Sequence, residues 1–263
     1  MKKIARLDYL DLQIYEEQKT TIIIPEIDCD GVPCKTTLIV NDALAHELFG
    51  LLKMTVQSSG WNSRVLYRAE NKEIFLSSNP FQKSMQFKGS FFLRPDAIAR
   101  LQEVIAFLHV RKIKFLVSRI DISFMLRNAK IYQALDRYDF KRLTQYTLKK
   151  KREVVYYKVY NSRFSMVAYG KTAQIKKEKG SDYLKKFLDC YGLTELPEDL
   201  INLELRLLGT DSCGGITEQV TEKIDTEKIK ALVIGQALKR MKLTKKILDL
   251  LLKSSIYSSG GEP

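Results

Sequence analysis

Two short segments place carboxylates and arginines where they could act together. In SRIDISF, residues 118–124, strand alternation sends Ile120, Ile122 and Phe124 to one face and Arg119, Asp121 and Ser123 to the other. NLELRLL, residues 202–208, repeats the design, with Leu203, Leu205 and Leu207 opposed to Asn202, Glu204 and Arg206. Each strand carries a carboxylate two residues from an arginine. Cross-strand ion pairs on a solvated sheet face would account for this. The chemical alternative is that Asp121 and Glu204 meet on one face and hold a cation, and oxygen-only ligands suit Mg2+ or Mn2+.

A third segment, EVVYYKVYNSRFSMVAYGK, residues 153–171, sets Tyr156, Tyr157, Tyr160 and Tyr169 among basic side chains. An aromatic ladder on a hairpin explains the tyrosines structurally. A phosphodiester cleft explains them chemically. A tyrosine can attack phosphorus and keep the nucleic acid covalently bound. Lys158, Arg163 and Lys171 could then offset the phosphate charge, and a metal at Asp121 and Glu204 could polarise it.

The charge balance agrees with a polyanionic partner. The 263 residues carry a formal net charge of +13, which attracts nucleic acid or a membrane surface. Basic clusters occur at KKKR (Lys149, Lys150, Lys151 and Arg152), KTAQIKKEKG (171–180) and KRMKLTKK (239–246). KKKR immediately precedes the tyrosine hairpin, although solvated helix faces could also carry such clusters. No apolar run approaches the roughly 18 residues that span a bilayer. Arg6, Asp8 and Asp11 interrupt the N-terminal apolar residues, so no signal-peptide core forms. The expectation is a cytoplasmic protein with no membrane partner. Four cysteines (Cys29, Cys34, Cys190, Cys213) and two distant histidines (His46, His109) lack the clustering of a structural zinc site.

The elements that must position these residues follow from periodicity. Strands are expected at 5–16, 20–28 and 35–40, a helix at 41–56, and a loop through SSGWNSR. A hairpin around residues 70–72, a strand through QKSMQFKGSFFL and a helix over 94–112 follow. After the SRIDISF strand, residues 128–150 suggest a helix. Residues 153–160 and 163–171 suggest a hairpin turning at Asn161 and Ser162, followed by a helix broken near Gly180. The NLELRLL strand and two amphipathic helices, KIKALVIGQALKRM and LTKKILDLLLKS, complete the order. ARLDYLDLQI (5–14) and SRIDISFML (118–126) share a phrase. The reading is α+β: two similar antiparallel-sheet units fused into one larger sheet covered by helices, with a C-terminal helical tail. Its units are 1–112, 113–212, which holds the candidate site, and 213–263.

In this order, RLDYLDLQ, NPFQKSMQFKGSFFL, RIDISF, VYYKVYNSRFSMVAYGKTAQI and LINLELRL resemble the motifs of the rolling-circle replication initiators of plasmids and filamentous phages. The likeness runs over most of residues 5–209. It implies a nickase-ligase whose tyrosine cuts one strand at a replication origin and becomes linked to the 5′ phosphate. The partner it implies is origin DNA, single-stranded at the cut and duplex nearby, with a host helicase. By the same likeness Asp121 and Glu204 match metal ligands, with Glu153 where an acid often precedes the tyrosine motif. Tyr156 matches the nucleophile in an ungapped alignment and Tyr157 in one shifted by a residue. Alternation from Glu153 favours Tyr157. Lys171 matches the lysine of the Y-D-K segment, while Arg119, Arg206, Lys149–Arg152, Lys158 and Arg163 would contact DNA. Met125, Gly170 and Gln174 stand where the family has acidic residues. The alternatives are a DNA-binding relative that does not cut, and a metal-dependent endonuclease that activates water.

Overall fold

In the computed structural model, residues 5–15, 43–61, 64–69, 72–78, 83–127, 135, 143–150, 153–178 and 180–241 are described. One ten-stranded antiparallel sheet organises them, in the order β2-β3-β4-β5-β1-β6-β10-β9-β8-β7. The strands are β1 (Ala5–Tyr15), β2 (Val56–Trp61), β3 (Arg64–Ala69), β4 (Ile74–Ser78), β5 (Lys83–Phe87), β6 (Lys114–Leu126), β7 (Thr144–Lys150), β8 (Glu153–Tyr160), β9 (Phe164–Gly170) and β10 (Ile201–Leu208). The helices are α1 (Ala43–Leu51), α2 (Gly89–Phe92), α3 (Ala97–Val110), α4 (Lys171–Glu178), α5 (Ser181–Tyr191), α6 (Thr210–Glu222) and α7 (Thr226–Met241).

The sheet order contains the repeat. From the centre outward, β1-β5-β4-β3-β2 runs one way and β6-β10-β9-β8-β7 the other. Each half has the same connectivity, with its first strand at the middle and its fifth beside it. The α+β reading as two fused units is therefore the observed architecture. It also makes β1 the counterpart of β6, so Arg6 and Asp8 correspond to Arg119 and Asp121.

Alternation divides the sheet into two faces. Leu10, Leu12 and Ile14 of β1, Ile120 and Ile122 of β6, and Leu203, Leu205 and Leu207 of β10 are buried in the main core. Helices α3, α6 and α7 pack against β6 from this side. Burying a side chain of this size contributes roughly 1.5–3 kcal/mol, so a one-residue register slip would move the whole set out of the core. The opposite face carries Arg119, Asp121, Asn202, Glu204 and Arg206. A smaller core of Met125, Ile175, Phe187, Tyr191 and Leu200 covers part of it, built by α4 and α5.

Several expectations need correction. Thr144–Lys150 is a strand rather than part of a helix, because its backbone groups pair with β8 along most of its length. Ser58–Trp61, read as part of the SSGWNSR loop, belongs to a strand, Val56–Trp61, that pairs with β3. The helix over Thr210–Glu222 was not anticipated, and α1 ends at Leu51, short of residue 56. The hairpin at Asn161 is as expected: its side-chain oxygen accepts from the backbone N–H of Arg163 and Phe164, each at 2.8 Å. The break near Gly180 separates α4 from α5. The strands expected at 20–28 and 35–40, the LTKKILDLLLKS helix and all of residues 128–142 but Leu135 lie outside the described residues.

Candidate functional site

The two motif strands are neighbours. In the β6–β10 ladder Asp121 lies opposite Arg206, and Ser123 opposite Glu204. Arg119 holds Asp121 with two hydrogen bonds, from Nε at 2.9 Å and Nη2 at 2.6 Å. Arg206 reaches both acids: its Nε lies 3.4 Å from Asp121 and 3.0 Å from Glu204, and its Nη2 also bonds Glu204. The other Glu204 oxygen accepts from Tyr169 Oη at 2.6 Å and Asn202 Nδ2 at 2.8 Å. Asp121 and Glu204 are buried, with side chains only 3% and 5% exposed. Burial pushes the Asp121 carboxyl up, Arg119 and Arg206 pull it down and Glu204 adds to the rise, so that it ends above the ordinary range.

A bulge in β1 adds Asp8. Leu7 pairs with Ile122 and Tyr9 with Asp121, so Asp8 is the extra residue. The bulge places Asp8 in the field of Glu204, Lys171, Asp121 and Arg206. Burial first, then Glu204, raise its pKa to about 6. A Cβ on Gly89, in α2, would lie 2.7 Å from Asp8 Oδ1, so only glycine permits this approach. Past the bulge, Tyr9 lies under two cations, with Arg119 Cζ 4.1 Å and Lys88 Nζ 4.7 Å from its ring centroid.

Lys171 follows β9 directly and is buried at the start of α4. Its Nζ donates to Gln174 at 3.1 Å and also bonds Tyr183 of α5. Burial pulls its ammonium down, but Tyr183, Asp8 and Glu204 together hold the pKa above the ordinary value. Tyr169 is pushed far above the phenol range, first by burial and then by Glu204.

The two candidate nucleophiles lie on opposite faces. Tyr156 pairs with Tyr169, which pairs with Asn202, so its side chain shares the face of Glu204. Its phenol is raised by burial, lowered by Arg206 and raised by Glu204. Tyr157 pairs with Ala168, is fully buried in the main core, and donates to Gln145 at 3.4 Å. Alternation from Glu153 pointed to Tyr157, but Leu148 pairs with Tyr156 and Lys149 with Val154, leaving Val155 as a bulge. The parity therefore breaks between residue 153 and residue 157. Lys158 and Tyr160 share the open face with Tyr156, and Arg163 is exposed at the hairpin turn. Lys151 and Arg152, and the side chains of Lys149, Lys150 and Glu153, lie outside the described residues.

The donors suit a hard cation, since Asp8, Asp121, Ser123 and Glu204 offer only oxygen. Ser123 Oγ, Ser165 Oγ and Asn202 Oδ1 are buried on this face without a hydrogen-bond partner, an arrangement that invites a polar ligand. As placed, however, both Asp121 oxygens and one Glu204 oxygen go to arginines, the other Glu204 oxygen goes to Tyr169 and Asn202, and Arg206 stands between the two acids. Among the described residues, no three His, Cys, Asp or Glu side chains are grouped to hold a metal. The Arg119 and Arg206 guanidinium groups are in turn occupied by Asp121 and Glu204, so the arrangement is a network of buried ion pairs. Asp8 is the residue that sequence reasoning missed, and the repeat of ARLDYLDLQI in SRIDISFML was the signal.

No family model matches the sequence, and neither does any curated protein. Among solved structures, the chain is similar to the rolling circle replication initiator protein from Geobacillus stearothermophilus, with 12% identity, 96% of each chain covered and a TM-score of 0.50. It also matches Methanococcus jannaschii TBP, with 6% identity, 87% of this chain and 99% of that one covered, and a TM-score of 0.36. The first likeness shows a shared fold; the second is too slight to support any inference. No helix among the described residues is long and apolar enough to cross a membrane.

Proposed function

We propose that the chain initiates rolling-circle replication by nicking and rejoining one DNA strand at an origin, with Tyr156 as nucleophile. One observation carries this reading: Tyr156 shares a sheet face with Asp121, Glu204, Arg119 and Arg206, over buried polar atoms that lack partners. The fold shared with a replication initiator supports it.

In the reaction the phenolic oxygen of Tyr156 bonds to phosphorus and the bond from phosphorus to the 3′ oxygen breaks. The phenol proton passes to solvent, the 3′ oxygen takes one up, and the 5′ phosphate stays on the tyrosine. Rejoining reverses each change. Arg119, Arg206 and Lys171 offset the charge that builds on the phosphoryl oxygens. Lys88, Lys158, Arg163 and the cluster Lys149, Lys150, Lys151 and Arg152 grip flanking phosphates, with a host helicase opening the duplex. Mg2+ or Mn2+ at Asp121 and Glu204, with Glu153, belongs to this reading only if Arg206 withdraws from between the two acids. That occupied position favours a second reading, a sequence-specific DNA-binding protein on the same scaffold that does not cut.

Incubation with origin-type single strands, followed by denaturing electrophoresis, separates the readings. Transfer by tyrosine gives a protein–DNA adduct that Tyr156→Phe abolishes and Tyr157→Phe retains. Cuts without adduct indicate activated water, and retarded but intact DNA indicates binding alone. Loss of adduct only in Tyr157→Phe would overturn the assignment.

A further inference from the structure

Among the described strands β7 is the outermost of the sheet, and Tyr146 and Leu148 on it are 51% and 49% exposed. Both face the side of the candidate site, because Tyr146 pairs with Lys158 and Leu148 with Tyr156. With Tyr160 these residues line a shallow groove of about 400 Å³. The rings of Tyr146 and Tyr156 meet edge-on with centroids 6.0 Å apart. Lys158 Nζ lies 4.4 Å from the Tyr160 ring centroid. Exposed apolar side chains on an edge strand are an aggregation hazard unless something covers them.

The composition identifies the occupant. Three phenol rings and a leucine offer flat apolar surface, and same-face residues along β8 are spaced by about 6.8 Å, room for one flat ring between neighbours. An ammonium sits among them. Unpaired bases have exposed π faces and a negative charge at every linkage, and proteins bind them by stacking beside cations. In a duplex those faces are stacked on one another. A second copy of this chain would bring the same +13 charge, so a polyanion is the better complement.

We propose that this groove stacks the bases of an unpaired DNA strand next to the nick. The inference rests on the proposed function and extends it, because Tyr156 belongs both to the groove and to the site. The groove would thus fix which phosphate reaches Tyr156.

The test uses the full chain and a fluorescein-labelled mixed-sequence oligonucleotide, single-stranded or annealed to its complement. Tyr146→Ala should weaken single-strand binding by roughly 5- to 150-fold, the scale of one lost base stack, and leave duplex affinity unchanged. Tyr146→Phe should keep parental affinity, which separates stacking from misfolding. Equal single-strand affinity in a folded Tyr146→Ala variant would overturn the proposal, as would an equal loss on duplex. A parent dimer that Tyr146→Ala turns into a monomer would give the groove to a second copy and also overturn it. If the parent binds neither form of DNA, the proposed function falls with it. If the parent binds both and Tyr146→Ala changes nothing, only the groove falls.

Discussion

Arg206→Met isolates the charge balance on which the site depends. Arg206 reaches Asp121 at 3.4 Å and Glu204 at 3.0 Å, and its side chain is 24% exposed. Methionine keeps most of the aliphatic stem and removes the charge. Removing one partner of a buried ion pair costs about 3–5 kcal/mol, because the other is left uncompensated. Here Asp121 keeps Arg119, and Glu204 keeps Tyr169 and Asn202. Those retained bonds and the partial exposure of Arg206 reduce the expected loss to about 2 kcal/mol. For a domain of this size that lowers Tm by roughly 4–8 °C, readable by circular dichroism at neutral pH. The deficit should shrink as pH falls and the Asp121 carboxyl, already held above the ordinary range by burial, takes up a proton. Adding Glu204→Gln should recover part of it. Unchanged or increased stability in Arg206→Met, with no response to Glu204→Gln, would refute the reasoning.

Three further outcomes follow from the same site. Asp8 has a folded pKa raised from 3.8 to about 6, so between these values the folded state holds a proton that the unfolded chain releases. Stability from this group is present below 3.8 and declines as pH rises to about 6; urea unfolding across that window should show the decline, and Asp8→Asn should remove it. Gly89→Ala should cost about 1–3 kcal/mol, because its Cβ meets Asp8 at 2.7 Å and 3.3 Å; a chemical denaturation midpoint equal to the parent's would contradict that crowding. Neutralising Lys149, Lys150, Lys151 and Arg152 together should flatten the salt dependence of DNA binding by about 0.7–0.9 log units for each phosphate that is no longer neutralised, and an unchanged slope would place the DNA elsewhere.

The sequence made the centre of the molecule legible because SRIDISF and NLELRLL alternate strictly. Strict alternation fixes which face is buried, and the observed register puts Asp121 beside Arg206 and Ser123 beside Glu204. The shared phrase in β1 and β6 marked the repeat for the same reason. What escaped the reading lay at bulges, where period-two counting fails. Asp8 is the extra residue of one bulge and Val155 of another, and the second breaks the period-two count from residue 153 to Tyr156 and Tyr157. β7 escaped because its start reads as the end of the helical pattern in KIYQALDRYDFKRLTQY, although Thr144, Tyr146 and Thr147 are strand formers and pairing with β8 decides the outcome. The arginine between the two acids could not be foreseen, since spacing along a strand does not show how far a guanidinium reaches across it.

Peptide mapping of the trapped adduct tests the central claim most directly. After digestion of both protein and DNA, the residual nucleotide should appear on the peptide spanning residues 153–158, and fragmentation should place it on Tyr156, the phenol that shares a face with Arg206 and Glu204. A nucleotide on Tyr157, which faces the core, or on any residue outside the open sheet face, would contradict the account.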